Sequence, residues 1–226
     1  MLHTQVLKSR LCWRAFRSHH DRLKNYYQAL LPLLDKPLNQ VPMVAVDLEM
    51  TGLDAAFDQI LSIGLVPIRE GQLVLAQAQH KLVKIDGSVG QSATIHGILD
   101  NHLKQALTPE AAMEWFLEAT LGKVLVAHHA PLDLAFLQNG LASLLGEKVS
   151  LIAIDTLAVE RKRLLRQHEV LKEGSLRLGA CRDRYHLPIY AAHNALIDAL
   201  ACGELLLAQV ASISGAEQIT VAELIG

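Results

Sequence analysis

The amino-acid sequence predicts an α/β protein: a mixed, five-stranded sheet with helices on both faces, preceded by a helical N-terminal extension. Three observations favour this architecture: three consecutive strand-like segments after residue 42, two short apolar strands that alternate with helical segments, and an apolar helical stripe before residue 35. Consecutive strands favour an antiparallel meander, whereas short apolar strands between helices are typical of buried parallel strands. At 226 residues, 51% hydrophobic and 19% charged, the chain is long enough for a substantial core.

The N-terminal segment predicts a helical extension. Leucine and tyrosine side chains recur at helical spacing from Leu23 to Leu34 and predict a helix over roughly residues 4–35. Pro32 and the following LDKPLNQVP stretch predict a linker. The sequence therefore divides into an extension with its linker (1–40), a main domain (41–212) and a C-terminal tail (213–226).

The main domain begins with the predicted meander. Its first strand covers residues 43–49, and strands over 60–68 and 73–83 form a hairpin through Arg69-Glu70-Gly71. The later elements alternate: a helix over 109–121 capped by Thr108, a strand over 124–127, a helix over 131–145, a strand over 151–155, a helix to about 166, a helix from Ser175 to about 186, and a helix from near His193 to about 212.

Two acidic side chains follow an apolar run at the end of the first strand. Asp47 and Glu49 are two residues apart, so in a strand they point to the same face, roughly 6.5–7 Å apart. Paired acids on an apolar strand are costly unless a cation neutralises them, and a divalent metal with oxygen ligands is one solution. The alternative is an edge strand whose acids are solvated.

Two further acids stand among leucines on predicted helices, Asp133 and Asp198. Buried carboxylates are rare unless they are paired, so both are candidates for the same site. Asp155 is better explained as the N-cap of the helix that follows it. His193 precedes Asp198 by five residues, about 140° around an ideal helix, so the two can meet only if His193 lies at the helix start.

Four separated carboxylates and one histidine fit two-metal hydrolysis of a phosphodiester. Two Mg²⁺ or Mn²⁺ ions about 3.5–4 Å apart clamp the phosphate and activate a water in such sites. Oxygen ligands select these hard cations over zinc. Histidine side chains generally titrate near neutral pH, which suits a general base.

Three ordered motifs give the sequence a family resemblance. DLE (47–49) with TG (51–52), H-x4-D (128–133) and H-x4-D (193–198) resemble the DEDDh, or DnaQ-like, 3′→5′ exonucleases. This family includes the proofreading subunit of bacterial DNA polymerase III, RNase T and oligoribonuclease. The likeness covers roughly residues 42–208 and implies a ribonuclease H-like fold.

The resemblance also implies a role for each matching residue. Asp47, Glu49 and Asp198 would hold the first metal, with Asp47 bridging to the second; Asp133 would support metal and water, and His193 would be the general base. Contacts to the 3′-terminal nucleotide are expected from the residues that follow these motifs: Met50, Thr51, Gly52, Leu53, His128, His129 and Ala130. His129 and Leu132 depart from the usual second motif, which has asparagine and an aromatic residue there.

The motifs point to more than one substrate. DLEMTGLD is similar to oligoribonuclease, whereas IHGI, VAHHAPLDLAFL and HNALIDALA are similar to the polymerase III proofreading group. We therefore expect a 3′→5′ exonuclease on single-stranded or proofreading-type DNA. The alternatives are an RNA-directed exoribonuclease and a non-catalytic nucleic-acid-binding subunit. A haloacid-dehalogenase-type phosphatase is disfavoured because Glu49 stands where that reaction needs aspartate.

Charge and cysteine content bound the setting of the protein. The net charge is −2, but basic residues cluster in 1–24 and 161–166, which suits transient contact with nucleic acid; solvated helix faces explain each cluster equally well. Three cysteines without a CxxC pair favour a reducing compartment, so we expect a cytoplasmic protein. No apolar run reaches the ~18 residues of a membrane span. The N-terminal segment contains no acidic residue before Asp21, which is the one feature that it shares with transit peptides.

The basic N-terminal helix is the expected contact for a polymerase or other protein partner. A homodimer is a further possibility.

Overall fold

The computed structural model describes residues 2–166, 169–213 and 218–225. It contains one mixed sheet whose strands are β1 (Met43–Met50), β2 (Ile60–Arg69), β3 (Gln72–Leu73), β4 (Gln79–Leu82), β5 (Val124–Ala127) and β6 (Ala153–Asp155). β2 pairs antiparallel with β1, β3 and β4, whereas β1, β5 and β6 run parallel. Both faces of β1 and β2 are buried, because helices cover the sheet on either side. The predicted α/β fold with a mixed sheet is confirmed.

Nine helices lie in the described part of the chain: α1 (Leu2–Arg17), α2 (Asp21–Leu30), α3 (Ala93–His96), α4 (Pro109–Thr120), α5 (Ala130–Leu145), α6 (Thr156–Leu164), α7 (Leu178–Asp183), α8 (Ala195–Ala211) and α9 (Val221–Leu224). Short 3₁₀ turns occupy Leu31–Leu33, Leu38–Gln40, Leu75–Gln77, Gly90–Ser92 and His102–Gln105. Over these described residues, every helix is too short or too polar to cross a membrane. Thr108 and Asp155 cap α4 and α6 as predicted, each accepting a backbone N–H.

The third predicted strand is interrupted in the structure. A 3₁₀ turn at Leu75–Gln77 divides the predicted strand over 73–83 into β3 and β4, and both halves pair with β2. The sheet therefore has six strands instead of the expected five, because β3 and β4 together replace the third predicted strand. The hairpin through Glu70 and Gly71 is present, and both residues have positive φ.

A glutamate from elsewhere in the chain divides the predicted N-terminal helix in two. The side chain of Glu147 accepts hydrogen bonds from Ser18 Oγ (2.6 Å) and from the backbone N–H groups of His19 (3.0 Å) and His20 (3.1 Å). These bonds satisfy donors at the start of α2, where His20 provides no side-chain cap of its own. The single helix predicted over residues 4–35 is therefore wrong, because a tertiary contact ends α1 at Arg17.

The C-terminal segment is packed in the core where the structure describes it. The prediction of a tail over 213–226 falls partly on residues 214–217 and 226, which lie outside the described part. Val221 and Ala222 are fully buried, and Ala222 N–H donates to the carbonyl of Leu34 (3.2 Å). Residues 218–225 are thus held against the N-terminal extension, because their apolar side chains complete its core.

A buried ion-pair network fixes α7 and the chain before it. Burial alone would raise the pKa of Glu160, but hydrogen bonds from Arg163, Tyr185 and Arg184 lower it to about 2. Arg184 also donates to the carbonyl of Ser175 at 2.5 Å. The predicted helix from Ser175 to about 186 is shorter than expected, because this contact engages the Ser175 backbone and α7 begins only at Leu178.

A glycine in β2 determines how closely α8 approaches the sheet. Gly64 pairs with Asp47 across the β1–β2 ladder, so both face the same side. A Cβ at Gly64 would overlap the backbone carbonyl group of Ala195, the first residue of α8. The absence of a side chain at this position therefore allows the start of α8 to lie directly over the acidic end of β1.

We expect Gly64→Ala to lower both stability and activity. Overpacking costs about 1–3 kcal/mol, and here the obstructing atoms are backbone, so the start of α8 must move. Gly203→Ala, in the same helix–sheet interface, is the matched control, because its Cβ would meet the end of a side chain, Leu73 Cδ2 at 2.7 Å, and a side chain can rotate away more easily than backbone. Thermal melts and nuclease assays of both variants test this expectation; equal behaviour of the two would contradict it.

Candidate active site

Three of the predicted carboxylates converge at the end of β1. Oxygen atoms of Asp47, Glu49 and Asp198 all lie within 4.8 Å of one another. The pleat of β1 aligns the first two on one face, and the close packing of α8 on Gly64 brings in the third. Side chains that are 151 residues apart in the chain therefore share one cluster.

His193 lies just before α8, as the predicted geometry requires. The φ of His193 is +67°, in the left-handed region. His129, the N-cap of α5, has a similar φ of +68°. The His193 backbone N–H donates to Asp198 Oδ2 at 2.7 Å, while Asn194 caps the helix itself. This bond holds an exposed histidine beside the acidic cluster despite its unfavourable backbone angle.

Asp133 completes the acidic group from the opposite helix. It lies in the first turn of α5 and is buried with an exposed fraction of 5%. Burial, and the nearby charges of Asp155 and Glu49, hold its pKa well above the usual range. Asp133 is thus adjacent to the three converging carboxylates, although it is not one of the three that approach within 4.8 Å.

The acids of the cluster repel one another strongly. Burial and the charges of Asp133, Asp198 and Glu49 raise the pKa of Asp47 well above its usual value. Burial and Asp198 raise the pKa of Glu49 to about 7. Burial also raises the pKa of Asp198, against the opposing effect of the His193 N–H. Such a cluster is stable in its charged form only with added positive charge.

The donor set fits hard divalent cations. All of the converging groups are carboxylates, which Mg²⁺ and Mn²⁺ prefer, and neither a thiol nor an imidazole belongs to the cluster. Among the described residues, no lysine or arginine forms an ion pair with these four acids. No basic side chain of the described residues therefore neutralises the negative charge of these four acids.

The raised pKa of Glu49 predicts an unusual pH dependence for the protein in chelator. Folding lifts this pKa from 4.5 to about 7, so the folded state binds more protons than the unfolded state between those values. Stability should therefore fall as pH rises through this window. Melts at pH 5 and pH 7.5 should show the fall in wild type and a smaller one in Glu49→Gln. Glu110→Gln, on the exposed start of α4, is the control; a slope like that of Glu49→Gln in this variant would contradict the assignment.

The segment after β1 forms a loop organised by Asp58. Its carboxylate accepts from Thr51 Oγ1 (3.0 Å) and from the Asp54 N–H (2.9 Å), and a Cβ at Gly52 would collide with it. A side chain at position 52 would therefore displace the Asp58 carboxylate, so close approach within the protein favours glycine there. Leu53 beyond it is 75% exposed and borders, with His129, a depression of about 720 Å³.

Two of the residues predicted to contact the nucleotide also make contacts within the protein. His128 Nε2–H donates to the Leu176 carbonyl (2.8 Å), and Nδ1 lies 2.8 Å from Thr156 Oγ1. Burial lowers the pKa of His128, so the neutral ring accepts from the threonine hydroxyl. Ala130 is buried in the core. The His128 ring thus fixes the segment before α7, and Ala130 packs in the core, while the contacts of both residues to a nucleotide stay a prediction. Met50 is half-buried at the rim.

A cleft of about 1250 Å³ leads away from the acidic cluster. Asp47, Asp198 and His193 line one end, and most of the other lining residues come from α6, the segment that precedes α7 and the first turn of α7, with His128 and His129 beside them. Cationic side chains along it are Arg161, Lys172 and Arg177, and exposed apolar ones include Leu165 and Val170; Glu169 and Glu173 also line it.

Sequence reasoning gave no role to a second histidine near His193. The Nδ1 atom of His96 accepts the Ile98 N–H at 3.1 Å, so Nε2 carries the proton in the neutral ring. Nε2 is buried without a partner among the described residues. Burial first, and then the charge of His193, lower the pKa of His96. The IHGI motif was the signal, but its local spacing does not indicate that the ring approaches α8.

This fold and this cluster define a DnaQ-like 3′→5′ exonuclease of the DEDDh type. The RNase_T exonuclease family matches residues 44–206, and the chain belongs to this family. DNA polymerase III PolC-type proteins are relatives: that of Thermotoga petrophila is 30% identical over 174 residues, and that of Oceanobacillus iheyensis is 30% identical over 179. Each match covers 76% of this chain but 12% of the relative, so the chain spans about an eighth of their length.

Solved structures share the ribonuclease H-like fold. Exonuclease I of E. coli, in complex with a dT13 oligonucleotide, superposes with a TM-score of 0.62 at 14% identity over 74% of this chain and 40% of that one. Exonuclease X, in complex with 5′-overhanging duplex DNA, gives 0.56 at 22% identity over 80% of this chain and 98% of that one. The predicted family and fold are thereby confirmed. The extension formed by α1 and α2 lies outside the matched range.

Proposed function

We propose that this protein removes nucleotides one at a time from the 3′ end of single-stranded DNA, using two divalent ions and His193 as general base. The convergence of Asp47, Glu49 and Asp198 beside a histidine, with no lysine or arginine of the described residues paired to them, carries this proposal. A purely binding subunit has no use for buried acids that repel one another, which argues against a non-catalytic role.

The cluster divides the work of hydrolysis between its residues. Asp47, Glu49, Asp133 and Asp198 would hold two Mg²⁺ or Mn²⁺ ions, which supply charge neutralisation at the phosphate and lower the pKa of water. His193 accepts the proton of the attacking water as its oxygen bonds to phosphorus. The bond from phosphorus to the 3′ oxygen then breaks, and that oxygen takes a proton from solvent to become the new 3′ hydroxyl, while His193 releases its proton to solvent. The Asp198 contact to the His193 N–H keeps the ring over the cleft.

The loop and the cleft suit an unpaired strand. Leu53 and His129 line the same surface depression. Together with Met50 and the Thr51–Gly52 backbone, they are the proposed contacts to the terminal nucleotide. Proteins that bind single strands place cations along the nucleic-acid backbone. The cleft offers such cations together with exposed apolar side chains, and it is large enough for a chain of several nucleotides.

Side-by-side digestion tests the proposal. Purified protein with Mn²⁺ or Mg²⁺ is incubated with single-stranded DNA, duplex DNA, single-stranded RNA and dinucleotides, each in 3′-labelled and 5′-labelled form. We expect mononucleotides from the 3′ end, with single-stranded DNA degraded fastest. Preferential degradation of RNA or dinucleotides would show an exoribonuclease instead, and no cleavage of any substrate would overturn the catalytic proposal.

The named relatives support a replicative or repair setting. They are DNA polymerases in which the matched region is a small part of a long chain. We propose that this exonuclease acts near a DNA-synthesising enzyme or another protein partner, in the cytoplasm. The exposed face of α1 offers a place for such a contact.

A further inference from the structure

α1 is apolar on two opposite sides. Leu7, Leu11 and Ala15 point inward and are buried against the rest of the protein. The opposite side presents residues spaced alternately by four and three, with the exposed fraction of each large apolar member in parentheses: Leu2 (83%), Val6 (41%), Ser9, Trp13 (61%) and Phe16 (85%). An ordinary surface helix keeps its second side polar. We call these five residues the outer seam.

The spacing of the outer seam indicates that the partner segment is an α-helix. Alternate steps of four and three residues are the heptad pattern by which one α-helix packs along another. Two aromatic side chains bury about 150–250 Å² each when covered, so Trp13 and Phe16 alone provide a substantial contact. Neither a lipid surface nor a nucleic-acid strand requires this strict heptad spacing.

The charged residues beside the outer seam indicate the charge expected on a partner helix. Arg10 and Arg17 each follow a seam residue, both are exposed, and the guanidinium of Arg17 lies 5.4 Å from the Trp13 ring centroid. These are the flanking positions whose ion pairs select a partner helix. The helix Leu2–Arg17 contains no aspartate or glutamate, so two copies of α1 would offer each other no opposite charge.

The location of α1 leaves the catalytic cleft free. Arg14 donates to the carbonyl of Ser150, which precedes β6, whereas the acidic cluster lies at the opposite, carboxyl end of the parallel strands. A partner bound to the outer seam would therefore not cover Asp47 or His193. Docking and hydrolysis can occur together.

We propose that the outer seam docks an amphipathic helix of a partner protein whose own apolar heptad stripe is flanked by aspartate or glutamate. The partner is thus acidic and helical, and it binds α1 on the side away from the sheet. This inference is independent of the substrate of the exonuclease.

A pair of synthetic helical peptides tests the proposal on the full-length chain. Both have leucine at the two seam positions of three heptads; one has glutamate and the other lysine at the flanking positions. We expect the glutamate peptide to bind at least on the order of tenfold more tightly, from a few ion pairs of modest strength. Arg10→Glu/Arg17→Glu should reverse the preference, and Trp13→Ser/Phe16→Ser should abolish binding of either peptide while leaving nuclease activity unchanged.

Cys12 gives a second readout. It is exposed beside the seam, whereas Cys181 and Cys202 are buried, so alkylation by iodoacetamide reports on α1. The glutamate peptide should slow alkylation of Cys12 in wild type but not in Trp13→Ser/Phe16→Ser.

Other occupants give distinct results that would overturn the proposal. Sedimentation that shows a dimer in wild type and a monomer in Trp13→Ser/Phe16→Ser would identify a second copy. Loss of binding to phosphatidylglycerol vesicles, or to oligo-dT in chelator, in the same variant would identify a membrane or a nucleic acid. Failure of both peptides to bind, or equal binding of both, would also refute it.

Discussion

His193→Asn should degrade 3′-labelled single-stranded DNA about 10²–10⁴-fold more slowly than wild type, the usual loss when a general base is removed. Asparagine tolerates the left-handed backbone angle of this position, so the turn before α8 and its bond to Asp198 should survive. We therefore expect unchanged oligonucleotide affinity in Ca²⁺ and an unchanged melting temperature. Single-turnover rates at saturating metal give the comparison.

The matched control is His186→Asn. His186 is also an exposed histidine with positive φ (53°), but it follows α7 and does not line the cleft. Its variant should retain wild-type rates. A near-wild-type rate in His193→Asn would remove the general base from the proposed mechanism, whereas a loss in both variants would implicate histidine content or folding.

Asp198→Asn should raise the melting temperature in chelator, abolish metal-induced stabilisation and abolish hydrolysis. The substitution removes one of the mutually repelling charges, and the amide oxygen can still accept the His193 N–H. In wild type, an ion at about 100 times its Kd stabilises the fold by about 2.7 kcal/mol. For a domain of this size, that is roughly 5–10 °C. Melts with chelator and with Mg²⁺ or Mn²⁺ measure both effects.

Asp155→Asn is the control for the loss of a nearby carboxylate that is not a proposed metal ligand. Asp155 lies close to Asp133 but acts as a cap, accepting from the N–H groups of His129 and Leu157 at 3.0 Å each. Asparagine caps equally well, so this variant should keep the metal-induced shift. A metal shift that persists in Asp198→Asn, or that is lost in Asp155→Asn, would contradict the assignment of the metal ligands.

Short sequence patterns correctly predicted the strands and helix caps that depend on interactions between residues close together in the chain. VLVA became a strand over the residues predicted, and the Thr108 and Asp155 caps are present, because apolar runs and side-chain caps act within a few residues. The pairing of Asp47 with Glu49 followed from the period of a strand. Family membership was readable because three motifs recur in order.

The remaining features depend on contacts that no local window contains. α1 ends where Glu147 reaches Ser18 from 129 positions away. His128 matches a substrate-contact motif, yet its ring is bound to Leu176, 48 positions later. His96 approaches α8 through the tertiary fold alone. A motif or an apolar stripe in the sequence does not reveal such long-range contacts.

The wide separation of the clustered acids in the chain has a consequence during synthesis. Asp198 emerges from the ribosome 151 residues after Asp47, and the core of the extension awaits Val221 and Ala222. Contacts between distant segments form late in folding. A nascent chain that has not yet reached Asp198 therefore carries only part of the acidic cluster.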